Sequence, residues 1–507
     1  MLQQNIIHDN LEEFLQSDFS THVHLDLQLT DLNIEDKNFI LLNKALQNCS
    51  EYETLKLNFN GQIEQQITED QIFLLFRDLP EYKKLTTLSL DFNQCNIKLS
   101  DLVGIKILKQ FLQKCLQLKK LQLQLFDNRI EKQGINTLIN SINEMKNIEG
   151  LKFDFGSINV QNTEILALSK TFSKFQNLFS LELLLTNCQI RSQGACSIFQ
   201  ELSNCKNLSK LIINFGLNQI QDQGVSEISQ MLKSLNKLTL FYLYLWDSQI
   251  SDQGACYIGE GLQYCQNLID LELSLKNKIG TQGAKELGIQ LINVKNLITL
   301  ELQLQQNQIE DDGAISIGNW LKNCNKIKEL QIYAGANRIR SQGANAIIQG
   351  INNNIILQKL DLSLVKNEID DEIILELSQL TKIEQFFLHL ANNQITDQGV
   401  LKLAESLEKL QSIRNILLSL RQNMISEKGY LSIGEKLSKL KNLQILSLTL
   451  GKQEQYLNSQ GLQNCKNINI LKIDLSFCNS LDEQTYYIQK GFKIKRLTDF
   501  EVKYPDD

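Results

Sequence analysis

Proline is almost missing from this chain: Pro80 and Pro505 are the only two in 507 residues. So little proline leaves hydrogen-bonded ladders free to run with few interruptions. Clustered basic charge is missing too, and the net charge is −7. That argues against nucleic acid or anionic lipid as the main partner, since both are held by grouped Lys and Arg. No stretch approaches the roughly 18 apolar residues of a membrane span. The N-terminal MLQQNIIHDNLEEF has neither the basic nor the apolar region of a secretion signal. The motifs GxxxxGKS/T, GxSxG and HExxH are all absent. Only four histidines occur; His22 and His24 could offer two zinc ligands, but no third is spaced to join them. Eleven cysteines, an odd number without any CxxC, read as reduced core thiols in a cytoplasmic protein. No metal, cofactor or catalysis is expected.

What the chain does have is repetition. The segment LELLLTNCQIRSQGACSIFQELSNCKNL from Leu181 aligns with FYLYLWDSQISDQGACYIGEGLQYCQNL from Phe241. The shared template is LxLxLxxNxIxDQGAxxIxxxLxxCxNL. Strand starts fall at Leu25, Leu55, Leu88, Leu121, Leu151, Leu181, Leu211, Phe241, Leu271, Leu300, Leu330, Leu360, Phe386, Ile416, Leu446 and Leu471, with a partial one at Phe500. IxxxG recurs in phase nine times, from Ile130 to Ile425.

Each unit changes period. LxLxL alternates, as a strand with one buried face does, and DQGAxxIxxxL repeats its apolar residues at three and four, as an amphipathic helix does. One strand and one helix in about 30 residues, always in that order, require the strands to be parallel. Ser192, Asp222, Asp252 and Ser341 stand where helix N-caps are wanted. The glycines that follow, Gly194, Gly224, Gly254 and Gly343, are expected to allow close packing on the neighbouring unit. Ile7, Leu11, Phe14 and Leu15 at helical spacing suggest an N-terminal cap over 1–24. The solenoid then covers 25–482 and a C-terminal cap 483–507, since an open solenoid end would expose core.

LxLxLxxNxI followed by a glycine-opened helix resembles the leucine-rich repeats of the ribonuclease-inhibitor-like class. The resemblance implies an α/β horseshoe of about 16 repeats, with a parallel sheet lining the concave face and helices on the convex face. It also implies a ladder in which Cys95, Asn128, Cys188, Asn218, Asn277, Asn307, Asn337, Asn367, Asn393 and Asn423 bond backbone groups between turns. Gly61 and Ile158 break that pattern.

With the leucines of LxLxL buried, the intervening residues line the concave surface as columns about 4.8 Å apart. Tyr242, Tyr244 and Trp246 form one aromatic cluster, flanked by Glu182, Glu272 and Glu301. Tyr333, Phe387 and His389 continue the aromatic character. Large aromatics rimmed by acids suit a basic, apolar-tipped protein partner; the competing account is strand propensity alone. Asp154-Phe155-Gly156 spells the metal-binding triplet of protein kinases, but no phosphate loop, catalytic loop or strand lysine–helix glutamate pair accompanies it. Asp154 is the concave residue equivalent to Leu184. The expected function is a non-catalytic protein-binding scaffold or adaptor. The resemblance admits two alternatives, a small-GTPase regulator similar to the Ran GTPase-activating protein and a ribonuclease-inhibitor-like inhibitor.

Overall fold

The computed structural model describes residues 6–19, 23–48, 51–61, 66–99, 103–115, 117–374, 376–449, 468–474 and 499–503. His22, Cys49, Cys465, Cys478 and the C-terminal cap apart from 499–503 lie outside them. The chain divides into two compact units, 1–249 and 250–507.

The first unit carries nine strands in its main ladder, from Ile6–His8 through His24–Gln28 to Leu240–Tyr244. Every neighbouring pair is parallel and in register at equivalent repeat positions, as in Leu181↔Leu211 and Leu211↔Phe241. The second unit also has nine, from Asp270–Ser274 to Asp499–Lys503, with the same parallel pairing. All the strand starts expected from the sequence are strands. Along each strand burial alternates as the period-two pattern requires: Leu211 and Ile213 are buried while Ile212 and Asn214 are half-exposed. The buried strand leucines form the core with the apolar stripe of the helices, such as Ala195, Ile198, Phe199 and Leu202 of the helix Ser192–Leu202.

Four expectations need correction, the last of them the N-caps of the helices. Ile6–His8 is a strand that pairs in parallel with the first repeat, and Ile7 points outward; the helix begins only at Leu11. The edge of the sheet offers unpaired backbone groups, and pairing with them outweighs a short helical pattern. The unit from Leu360 to Phe386, only 26 residues long, has no helix among its described residues; Ile373, Leu377 and Leu380 fill the core from a chain of turns. Cys196 and Cys256 are half-exposed, whereas the other six described cysteines are buried. Burial pushes the Cys256 thiol up to about 11, so it resists ionisation.

The glycine of DQG has a mechanical role that crosses between repeats. Ser192, Asp252 and Ser341 are the first helical residues and Asp222 the second, one or two places past the cap; the N-caps are Arg191, Ser251, Arg340 and Ile220. The carboxylates instead cap the following helix. Asp311 Oδ1 accepts from the backbone N–H of Arg340 and of Gly343, both at 2.9 Å. Asp371 Oδ1 does the same for Thr396 (2.7 Å) and Gly399 (3.0 Å), and Asp252 Oδ1 accepts from Gly280 at 2.6 Å. Two of the four orphan N–H groups at a helix start are thereby satisfied by the unit before. The acceptor occupies the space of a side chain: a Cβ on Gly283 would stand 2.5 Å from Asp252 Oδ1. The Ser426 hydroxyl, which donates to Asp397, holds the carboxyl of that ladder member below its ordinary range. Its contribution to stability is therefore present above the unfolded-state value of about 3.9 and is lost as pH falls through the lower folded value.

The second ladder lies at the strand ends. Asn218 Oδ1 accepts from Cys188 N (3.0 Å) and Ile190 N (2.9 Å), while its Nδ2 donates to Leu185 O (2.7 Å) and Phe215 O (2.9 Å). Asn128, Asn307, Asn337, Asn367, Asn393 and Asn423 repeat the arrangement. Cys188 and Cys95 donate to Phe155 O and Phe59 O in the same place. Ser248, not anticipated as a member, donates to Phe215 O at 2.9 Å.

Two substitutions test these ladders. Gly399→Ala forces a Cβ against the Asp371 carboxylate and is expected to destabilise by about 1–3 kcal/mol. In an Asp371→Ala background urea unfolding should show a smaller cost; an equal cost would separate the glycine from the carboxylate. Asn218→Ala strands buried backbone groups and is expected to cost about 2–3 kcal/mol, against a smaller loss for Ser248→Ala, since a hydroxyl carries one donor hydrogen where an amide carries two.

Candidate functional site

The strand residues that point away from the core form columns on the open face of each unit. In the first unit one column runs Lys152, Glu182, Ile212, Tyr242, and the next runs Asp154, Leu184, Asn214, Tyr244. Tyr242, Tyr244 and Trp246 all lie on this face and are half-exposed, with Phe241, Leu243 and Leu245 buried between them. Leu184 and Ile212, which composition-based reading passed over, are half-exposed beside them. Glu182 is no free acidic rim: Lys152 on the adjacent strand pairs with it at 2.8 Å.

Trp246 follows the strand and lies over the neighbouring repeat. A Cβ on Gly216 would fall inside its indole, so the ring rests directly on the Gly216 backbone. Phe126 treats Gly156 likewise: a Cβ there would be 2.7 Å from Phe126 Cδ2. Both glycines belong to one recurring triplet, Asn58-Phe59-Asn60, Asp91-Phe92-Asn93, Asp154-Phe155-Gly156 and Asn214-Phe215-Gly216. In each, the first side chain accepts from the third residue's N–H, at 3.0, 3.0, 3.1 and 3.0 Å respectively. The phenylalanine is buried core. This is an Asx turn closing the strand, and it accounts for the kinase-like triplet without any metal chemistry. The repetition of Asx-Phe-x was the available signal, visible once the triplet was compared with its own repeats.

In the second unit the character changes. Glu272, Glu301, Gln331, Asp361 and Phe387 share one column, and Ser274, Gln303, Tyr333, Ser363 and His389 the next. Gln303 Nε2 donates to Glu301 at 2.6 Å and Gln331 Nε2 to the same carboxylate at 3.2 Å. The Tyr333 hydroxyl donates to Asp361 at 3.0 Å, and His389 Nε2 lies 3.4 Å from the other Asp361 oxygen. Burial, with Asp361 beside it, pushes the Tyr333 hydroxyl well above its ordinary range. Glu301, Tyr333 and His389 thus belong to an ordered acid–amide network, with Glu272 at its margin, and Phe387 stands in its outer column. Of the expected site residues, Tyr242, Tyr244, Trp246 and Glu182 belong to the first unit, and Glu272, Glu301, Tyr333, Phe387 and His389 to the second. Among the described residues no group of His, Cys, Asp and Glu is arranged to hold a metal, and no helix is long and apolar enough to cross a membrane.

Strand, turn and helix in a fixed order, with a buried amide ladder, define a leucine-rich-repeat solenoid. A family model described as "Leucine Rich repeat" matches residues 297–318 and 387–404. No curated protein matches the chain. Among solved structures it is similar to an internalin from Listeria monocytogenes, at 20% identity and a TM-score of 0.43, over 74% of this chain and 94% of that one. A TLR13–ssRNA13 complex is similar at 14% identity and a TM-score of 0.39, over 98% of this chain and 83% of that one. Similarity this low carries no functional argument.

Trp246 and Trp320 are the two tryptophans, and Trp320 is fully buried. Gly216→Ala should therefore lift the Trp246 ring into water, red-shifting the emission and increasing acrylamide quenching, with circular dichroism unchanged. Unaltered fluorescence would mean that the indole does not rest on Gly216.

Proposed function

We propose that this protein is a non-catalytic scaffold that grips another protein on the open, concave side of its sheet. The observation that supports this most strongly is the run Leu184, Ile212, Tyr242, Tyr244 and Trp246, half-exposed on three adjacent strands. On a soluble chain a contiguous apolar and aromatic patch generally marks an interaction site. Tyr and Trp supply large contact area at low entropic cost. The parallel ladder holds these residues in place before binding, so little ordering is required on association. The acid–amide network of the second unit adds a polar surface whose hydrogen bonds are already arranged.

Tagged protein, expressed in its own cells, should capture a partner that a Tyr242→Ala, Tyr244→Ala, Trp246→Ala variant of unchanged circular dichroism loses selectively. An identical captured set would remove the aromatic face from consideration and with it this reading.

A further inference from the structure

The glycine-bedded rings and the carboxylate beside them carry a more specific reading, which rests on the scaffold function above. On the first unit, five of the six charged groups in the two columns are committed, Asp26 and Lys56 to each other at 2.8 Å. Lys152 and Glu182 neutralise each other at 2.8 Å. Asp91 accepts from Gln124 Nε2 at 2.9 Å and from Asn93 N at 3.0 Å. Asp154 differs: its Oδ1 accepts from Gly156 N at 3.1 Å, and it makes no ion pair among the described residues. It is half-buried between Gln124 and Leu184, and burial raises its proton affinity. A partly desolvated carboxylate whose neighbouring Lys152 is paired to Glu182 gains most from an incoming cation.

The surroundings narrow the cation. A Cβ on Gly156 would meet the Phe126 ring at 2.7 Å and Asp154 Oδ1 at 3.3 Å, so ring and carboxylate converge on one backbone position. A planar group that stacks on an aromatic face while donating in its own plane to a carboxylate fits this corner; guanidinium does both, and ammonium does not. Leu184 lies one strand further on, and the Trp246 indole lies over Gly216, two strands beyond Gly156. That places the apolar stretch roughly 5–10 Å from the carboxylate. In an extended peptide, side chains two residues apart lie about 7 Å apart on one side.

We propose that Phe126 and Asp154 form an arginine subsite for a partner protein segment, with Leu184, Ile212 and Trp246 receiving an apolar side chain two residues away. The partner's guanidinium stacks on Phe126 and donates to Asp154; its neighbouring apolar side chain covers Leu184 and the indole.

The test uses the full chain and two acetylated, amidated pentapeptides, Gly-Arg-Gly-Leu-Gly and the same peptide with citrulline for arginine, which keeps the shape and removes the charge. Isothermal calorimetry should show the arginine peptide binding about tenfold more tightly. Asp154→Asn, which still accepts from Gly156 N, should abolish the difference while leaving citrulline binding unchanged. Phe126→Leu should weaken arginine binding with little effect on folding. Equal affinities for native protein, a difference that survives Asp154→Asn, or no binding of either peptide would each overturn the subsite. If that happens while the Tyr242, Tyr244 and Trp246 triple variant still loses a cellular partner, the scaffold reading stands and only the arginine assignment falls.

Discussion

Parallel strands stacked every 30 residues or so leave backbone N–H and C=O groups at the same place in every unit, inside the protein and out of reach of water. Satisfying them is the constraint on which the structure depends. One buried amide per repeat does it, accepting from the unit before and donating within its own and the preceding turns, as Asn218 does. A cysteine or serine can supply the donor to the preceding turn, as Cys188 and Ser248 do. The Asp–Gly contacts at the helix starts answer the same need from the other end of the unit. Both devices act between neighbours. The chain is thus held as a series of interfaces, and each repeat's stability is tied to the next.

These ladders free the open face from structural duty. Apart from the Asx that accepts from the turn N–H, outward strand side chains bond to one another, as Lys152 does to Glu182. The first unit can therefore present aromatics and leucine there while the second presents glutamate, glutamine and tyrosine bonded to one another. The Asx-Phe-x triplet shows the boundary between the two roles. Its phenylalanine is core, its Asx closes the turn, and its third position alone varies between Asn and Gly. Where that position is glycine, the Phe126 or Trp246 ring lies down on it. Deleting a side chain from that repeat position makes room for the ring and disturbs no ladder.

Much of the architecture was legible in advance because the repeat is written over and over. A single LxLxL is ambiguous, but sixteen in phase leave one arrangement. The asparagine ladder followed from the family resemblance, and the outward set of strand residues from the alternation. The misreadings fell where a segment departs from its siblings. Ile7 sits on a strand because the sheet edge was vacant, and the short unit before Phe386 dropped its helix because turns suffice to bring Ile373, Leu377 and Leu380 to the core. The N-cap assignment failed for a different reason: Asp311 and Asp371 cap helices about 30 residues away, a relation that local motifs do not contain.

Period and phase, then, determined the secondary structure, the parallel ladder and which residues look outward, because burial on one face imposes alternation that a repeat makes unmistakable. Tertiary structure alone decided which outward residues are available. Lys152 had to be seen beside Glu182, Trp246 over Gly216, and Phe126 over Gly156. Each is a contact across strands about 30 residues apart, and such contacts depend on the lean of side chains that sequence spacing does not specify.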